Sequence, residues 1–294
     1  MTHPTVQISV IIPTYHDWKR LKRCLLALLK SEFNSFEVIV VNNANDEAPE
    51  DLIKEVFTKN QNITLLKESK AGSYAARNKG IQYAKGDLLA FTDADCIPDA
   101  NWLENIANHF EKNSDLMMIG GPIHQFKDDP DVPDNLFLFQ KYFAFRQKEN
   151  LKRGWSVTAN MVVRKTVVER IGGFNETSKS GSDHEFGHRV SSAYPNNGNH
   201  QRVSYANDVI VHHPVRESID EIYSKRKRIV LGQMVLYRKR LFPTYFVNSF
   251  FFPLYHALKY ARHESLSNLV KILYVAYRER FFAVKILFKE RAFF

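Results

Sequence analysis

Two aspartates one residue apart, Asp93 and Asp95, follow the short apolar run 88–91. A strand ending in such a pair delivers both carboxylates to a turn, where they can converge on one hard cation. Mg²⁺ or Mn²⁺ suits oxygen ligands of this kind and keeps positions open for phosphate oxygens. Just upstream, residues 72–80 (GSYAARNKG) combine a glycine start, small residues, Arg77 and Asn78. That pattern suits a helix N-terminus facing an anionic group with a guanidinium beside it. Further on, residues 171–189 (IGGFNETSKSGSDHEFGHR) carry Asp183 and Glu185 where a helix should begin, and Ser182 with Asp183 reads locally as its cap. His212, His213 and Arg216 come after a short apolar run at 209–211. Alternation along a strand points one of the two histidines toward a crevice and the other away.

These groups need a scaffold, and the chain spells one out. Residues 7–12 are nearly all apolar or β-branched, as in a strand buried on both faces, and Pro13 should end it. Asp17 caps a helix whose Leu21, Cys24, Leu25, Leu28 and Leu29 recur at helical spacing. A second buried strand covers 36–41 and runs into Asn42, Asn43, Ala44, Asn45 and Asp46. Strand, helix, strand predicts a right-handed parallel unit whose strand ends feed one crevice. A helix over 50–59, a strand over 62–66, a helix broken by Gly86, a helix over 99–110 and a strand over 116–119 continue the alternation. The proline-broken acidic loop 128–134 reads as a surface excursion, and 136–148 as one aromatic-rich helix.

The motifs in this order resemble a family 2 glycosyltransferase of the GT-A fold. Ala76, Arg77, Asn78 and Gly80 match its Ala-Arg-Asn-x-Gly element, and Asp93 with Asp95 matches its Asp-x-Asp. The likeness extends from about residue 8 to about residue 216. It implies an α/β, Rossmann-like, mostly parallel sheet flanked by helices. Residues 1–216 would be the catalytic domain, with a nucleotide-sugar half to about 122 and an acceptor half over 123–216. Residues 217–294 would form a helical, basic and aromatic extension.

The resemblance also implies roles. Pro13 and Tyr15 would hold the nucleotide, with Arg77 and Asp93 nearby. Asn42 and Asn43 stand where the family commonly has an acidic pair, and an amide both accepts and donates, which weakens the case for uridine. Asp93, Asp95 and one of His212 and His213 would hold Mn²⁺ or Mg²⁺. Asp183 matches the catalytic base although Ser182 replaces the acid that usually precedes it. Glu185 would position the acceptor and Arg216 would reach the diphosphate. The implied reaction is inverting transfer of a hexosyl or N-acetylhexosaminyl group from a nucleoside-diphosphate sugar, UDP-linked by preference, to a hydroxyl acceptor. A glycan or lipid-linked glycan of a bacterial surface is the implied acceptor.

Composition narrows the setting. The net charge of +9 is uneven: residues 216–294 hold 16 Lys and Arg against 6 Asp and Glu, whereas the first 215 hold 25 against 26. A basic, aromatic tail after a nearly neutral body suits an anionic membrane surface. The other covering for its apolar faces is the catalytic domain or a second protomer. Residues 241–260 are broken by prolines and polar residues and make a poor bilayer span, while 265–294 read as an amphipathic helix lying on a surface. Two cysteines give neither a disulfide framework nor metal-ligand spacing, and the first residues lack a signal-peptide pattern. The expectation is an enzyme on the cytoplasmic face of a membrane. A sugar nucleotidyltransferase would want a glycine-rich loop after the first strand, and PTYHD offers none. A non-catalytic domain binding nucleotide or RNA would not need to keep Asp93, Asp95 and Asp183, and no RNA-binding motif is present.

Overall fold

The computed structural model describes residues 7–44, 46–198, 201–236 and 241–291, of which 235–236, 241–250 and 290–291 are described by backbone alone. The readings made above for residues 1–6, Asn45, 237–240 and 292–294 lie outside the described residues. The elements run β1 (Ile8–Thr14), α1 (Trp18–Leu28), β2 (Phe36–Asn42), α2 (Glu50–Leu52), β3 (Ile63–Lys67), α3 (Ser73–Tyr83), β4 (Leu88–Phe91) and β5 (Ile97–Pro98). Next come α4 (Trp102–Lys112), β6 (Met118–Gly120), β7 (Ile123–Phe126), α5 (Asp134–Phe143), α6 (Gln147–Lys152), β8 (Met161–Arg164), α7 (Lys165–Ile171) and α8 (Ser182–Ala193). The chain finishes with β9 (Val203–Tyr205), β10 (Val211–Pro214), α9 (Ile219–Leu236), α10 (Leu241–Tyr260) and α11 (Leu266–Arg291).

Among the described residues, seven strands form the larger sheet in the order β3-β2-β1-β4-β8-β6-β9. The first four are mutually parallel, β8 runs antiparallel to both β4 and β6, and β9 is parallel to β6. This is the expected mostly parallel sheet flanked by helices. Its central strands are covered on both faces, which explains their largely apolar sequences: β2 and β4 are buried throughout and β1 at every position but Pro13, with Ser9 and Glu37 bonded to each other inside. Ile11, Leu89 and Phe91 join Val163, Phe174 and Phe186 in one core cluster. Three shorter strands form a second sheet in the order β5-β10-β7.

Several boundaries differ from the sequence reading for identifiable reasons. β1 continues through Pro13 to Thr14 because β4 ends at Phe91, opposite Ile11, so no neighbour on that side needs the missing N–H. The helix expected over 50–59 is one turn of α2 followed by a wide π-helical turn, Ile53–Phe57. The single helix expected over 136–148 is two. The second starts at Gln147, whose buried amide donates to Ser156 Oγ and Asn160 O and accepts from Val157 N. The strand expected at 209–211 is β10, which contains both His212 and His213.

The chain divides into two compact units. One comprises residues 1–124, 147–177 and 182–213 and holds the large sheet; the other comprises 125–146, 178–181 and 214–294. The second is therefore larger than the tail read from sequence, since it includes α5. It packs around small clusters: Leu136, Phe139, Ile222 and Val275 in one, Leu138, Ala257 and Ile272 in another, Val230, Ala283 and Leu287 in a third. Pro253 lies inside α10, and no described helix is long and apolar enough to cross a membrane.

Candidate active site

The carboxyl ends of β1, β2 and β4 lie along one edge of the parallel sheet, since these strands run the same way in close register. The chain leaves β4 through Thr92, whose Oγ1 donates to Ala159 O at 3.1 Å. It then turns tightly, with Cys96 N donating to Asp93 O. Asp93 and Asp95 sit on this turn. β5 follows and pairs antiparallel with β10, placing His212 opposite Ile97 and Val211 opposite Pro98.

Strand alternation separates the two histidines. Buried His213 points to the turn, its Nε2 at 3.6 Å from Asp95 Oδ2. His212 faces away and bonds Asp99 Oδ1 at 2.7 Å. Among the described residues, ligand atoms of Asp93, Asp95, Cys96 and His213 lie within 4.8 Å of one another. The cysteine is a member that its sequence spacing did not announce. Burial first, then the two aspartates, push its thiol up, and a soft sulfur is the poorest match in the cluster for a hard cation. Two carboxylates and an imidazole remain, a donor set that suits Mn²⁺ or Mg²⁺.

Helix α3 explains the Ala-Arg-Asn-x-Gly element residue by residue. A Cβ at Gly80 would come within 2.5 Å of Ile11 Cγ2, so glycine lets the helix lie against β1, and Ala76 is fully buried. Asn78 staples the loop after α7, donating to Phe174 O and Glu176 Oε1 and accepting from Phe174 N. Buried Arg77 pairs through Nη2 with Asp93 Oδ1, and its Nε is buried with no partner among the described residues. Three residues earlier, one helical turn away, Tyr74 donates its hydroxyl to Asp183 Oδ1 at 3.2 Å. A single helix thus contacts the acidic turn with one side chain and Asp183 with another.

Asp183 lies in the first turn of α8 and accepts from His184 N at 2.9 Å. The cap read from Ser182 and Asp183 is not formed: both lie inside α8, Ser182 Oγ is buried with no partner among the described residues, and the backbone N–H that Asp183 Oδ1 accepts is its immediate neighbour's rather than one two or three residues on. Burial pushes the carboxyl above the ordinary aspartate range, while the His184 N–H, Arg77 and Tyr74 oppose that rise. Tyr74 is pushed up in turn by its own burial and by Asp183, so its phenol stays protonated and donates. Both oxygens of Glu185 bond Arg189, which also donates to Ile171 O and Gly173 O and so fastens the α7–α8 connection.

The two asparagines after β2 are also engaged within the protein. Asn42 donates to Asp46 O and accepts from Ala44 N. Asn43 donates to Glu68 O and Lys70 O and accepts from Gly72 N, tying the loop before α3 to the end of β2. Both side chains serve the turns, consistent with the turn preference of asparagine.

A residue matching model for glycosyl transferase family 2 covers 9–172, more than half of the chain. The chain belongs to this family. The glycosyltransferase AglE of Haloferax volcanii is 31% identical over 241 residues, covering 80% of this chain and 75% of that protein. Two solved structures share the GT-A fold at low identity. The mannosyltransferase PcManGT of Pyrobaculum calidifontis, solved with GDP-Man and Mn²⁺, has a TM-score of 0.58 at 16% identity, covering 96% of this chain and 74% of that one. Residues 1–349 of S. aureus TarS, solved with UDP-GlcNAc, give 0.54 at 17% identity, covering 97% and 92%. Against a longer TarS structure the match spans 78% of this chain but only 40% of that one.

As a family 2 member the chain also carries groups that its motifs did not single out. Asp46, in the turn after β2, accepts from Trp18 Nε1 at 2.7 Å and lies 3.0 Å from His16 Nδ1 through the same oxygen, Oδ2. Its other oxygen, Oδ1, is buried and has no partner among the described residues. Burial works against ionisation here, but the Trp18 and His16 contacts prevail and hold the carboxyl below the usual range. Tyr15, in the loop after β1, exposes 67% of its surface, with its ring 4.4 Å from that of His16. Its family position could be read from Pro-x-Tyr; the free oxygen of Asp46 could not. Arg216 lies in the second unit, where its backbone N–H and C=O are both bonded to the Gln140 side chain.

Proposed function

We propose that this chain transfers a hexosyl or N-acetylhexosaminyl group from a UDP-sugar to an acceptor hydroxyl with inversion, in surface-glycan assembly. The observation carrying this reading is the pair of contacts from α3: Arg77 on Asp93 and Tyr74 on Asp183. They give one crevice a cationic group for a diphosphate and a separate carboxylate for a hydroxyl. Asp93, Asp95 and His213 are the residues that would hold a divalent cation, whose chemistry is to neutralise charge developing on the leaving diphosphate. Arg77, anchored by burial, adds a guanidinium to the same task. Asp183 takes the proton as the acceptor oxygen bonds to the anomeric carbon and the bond to the nucleoside diphosphate breaks on the opposite face. Tyr74 fixes the orientation of that carboxylate.

For the base, we assign the role of the asparagines to Asp46. Its buried Oδ1 has unused acceptor capacity that the imide N–H of a uracil would satisfy if the loop admits the base, and exposed Tyr15 offers a ring face nearby in sequence.

We assign the second unit's helices to an anionic membrane surface on the cytoplasmic side. Phe251, Leu254, Tyr255 and Leu258 of α10 recur at helical spacing and are exposed, as are Leu266, Val270, Tyr274, Phe281 and Phe288 of α11. Lys259, Arg262, Lys271, Arg278, Lys285 and Lys289 are also exposed. Between residues 251 and 289 the acids are Glu264 and Glu279, both bonded inside the unit. Exposed apolar residues among an excess of cations fit a surface of anionic lipid headgroups, whereas a second copy would bring like charges together.

The test is release of nucleoside diphosphate from a panel of UDP- and GDP-sugars with Mn²⁺ and a soluble hydroxyl acceptor. UDP-sugars should be consumed by the native chain and spared by Asp183→Asn; equal consumption by the variant would remove Asp183 from the reaction.

A further inference from the structure

The chain passes from β1 to α1 through Tyr15, His16 and Asp17 alone, and His16 makes the turn. Among the described residues it is the one non-glycine residue with a left-handed backbone, at φ 54°. Side chains are strained in that region, histidine less than most, and glycine adopts it freely. A glycine would make this turn without strain, so what histidine adds is its side chain. His16 Nδ1 lies 3.0 Å from Asp46 Oδ2, the oxygen that also accepts from Trp18 Nε1 at 2.7 Å. An ionised carboxylate only accepts, which puts the imidazole proton on Nδ1. Two donors converging on one oxygen fix the rotation of the carboxylate and leave Oδ1, buried and without a partner among the described residues, as its open atom. The same imidazole meets the Tyr15 ring edge to face, with 4.4 Å between centres, while Tyr15 keeps 67% of its surface exposed.

We propose that His16 is a positioning residue for donor recognition: its left-handed turn presents the Tyr15 ring, and its Nδ1–H holds Asp46 so that Oδ1 is the acceptor left for a nucleobase N–H. The inference rests on the reading that Asp46 takes the base, and names what holds that carboxylate. Three substitutions separate this role from that of a plain turn. Asparagine tolerates the left-handed backbone, and its amide nitrogen can occupy the δ position that Nδ1 holds in histidine. Glycine keeps the backbone and loses the donor. Valine loses the donor and, being β-branched, also resists the backbone.

Calorimetric titration of the full chain with UDP and with pyrophosphate, both in the presence of Mn²⁺, tests it. His16→Asn should bind UDP within about threefold of the native chain, His16→Gly about three- to tenfold more weakly, and His16→Val at least about tenfold more weakly. Pyrophosphate has no base and should bind all four chains alike, so a loss confined to UDP sets the nucleoside role apart from a general loosening of the fold. In an Asp46→Ala background, His16→Gly should weaken UDP little further, because its effect runs through that carboxylate. No UDP binding by the native chain, or Asp46→Ala that binds UDP as the native chain does, would overturn the base reading and this inference with it. A weakened Asp46→Ala beside His16→Gly and His16→Val that bind UDP normally would overturn this inference alone. So would His16→Asn losing as much as His16→Val, or equal losses for pyrophosphate.

Discussion

In the sheet unit polar side chains are inside and aimed; in the helical unit apolar side chains are outside and spread. Arg77, Thr92, Asn160 and His213 are all buried, and the contacts of each run to a particular atom: Asp93 Oδ1, Ala159 O, Pro122 O and Val209 O, Asp95 Oδ2. The second unit buries Glu279 with Arg226 but leaves Phe251, Leu266 and Phe281 more than half exposed. Directed chemistry requires groups held at fixed distances, and low-dielectric surroundings strengthen their interactions. A surface ligand such as a lipid bilayer needs only area and charge of the right sign, so no single contact carries it. Substitutions in the first unit should therefore be abrupt, and those in the second graded.

The sharpest break should come at Asp183. Asp183→Asn removes the proton acceptor but keeps the shape and the Tyr74 contact, so turnover should fall about 10²–10⁴-fold with donor affinity retained. The sign of the pH dependence follows from the raised carboxyl: as pH falls through its elevated pKa the group becomes protonated and the rate drops, starting at higher pH than an ordinary aspartate would require. A pH–rate profile checks this. Asp46→Ala should act on the donor only, raising KM for the UDP-sugar by about tenfold with kcat little changed, since a single hydrogen bond from a charged group is lost.

In the helical unit, Phe281→Ser with Phe288→Ser should weaken binding to phosphatidylglycerol vesicles by about tenfold and leave transfer to a soluble acceptor unaltered, as each ring contributes a share of buried area. An abrupt loss of both would mean that the α11 face supports the fold instead. The smallest effect is on stability. Burial, followed by His188 and Arg153, lowers the His184 pKa to about 4 from 6.5. Its contribution is complete above about 6.5 and is lost as pH falls toward 4. About 1–2 kcal/mol should disappear between pH 7 and 5, and less in His184→Gln, as followed by thermal unfolding.

The same contrast governed what could be read from the sequence. The β1–α1–β2 order, the strand 88–91 and the Asp-x-Asp turn were legible because buried parallel strands and the turns after them leave a local signature in residue type. So was the placing of Arg77, Asn78 and Gly80 on one helix, although what each contacts became visible only in residues 16 to 98 positions away. His213 rather than His212 could not be chosen, because strand phase depends on where β10 starts. Asn42 and Asn43 looked like ligand groups, and their engagement by Asp46, Glu68, Lys70 and Gly72 depends on how three loops meet. The buried Oδ1 of Asp46 has no sequence signature at all. In the tail, charge excess and amphipathic spacing were plain, but the grouping of α5 with the terminal helices was not, since their sequence separation exceeds 70 residues.

The claim that joins these observations is that Asp93, Asp95 and His213 hold a cation against a nucleoside diphosphate. Calorimetry of UDP binding with and without Mn²⁺, on the native chain and on Asp95→Ala, tests it without any need for the acceptor or the sugar. UDP should bind the native chain at least about tenfold tighter with Mn²⁺ than without, and that gain should vanish in Asp95→Ala. UDP binding that is indifferent to Mn²⁺ in the native chain, or a gain that survives in the variant, would contradict the claim.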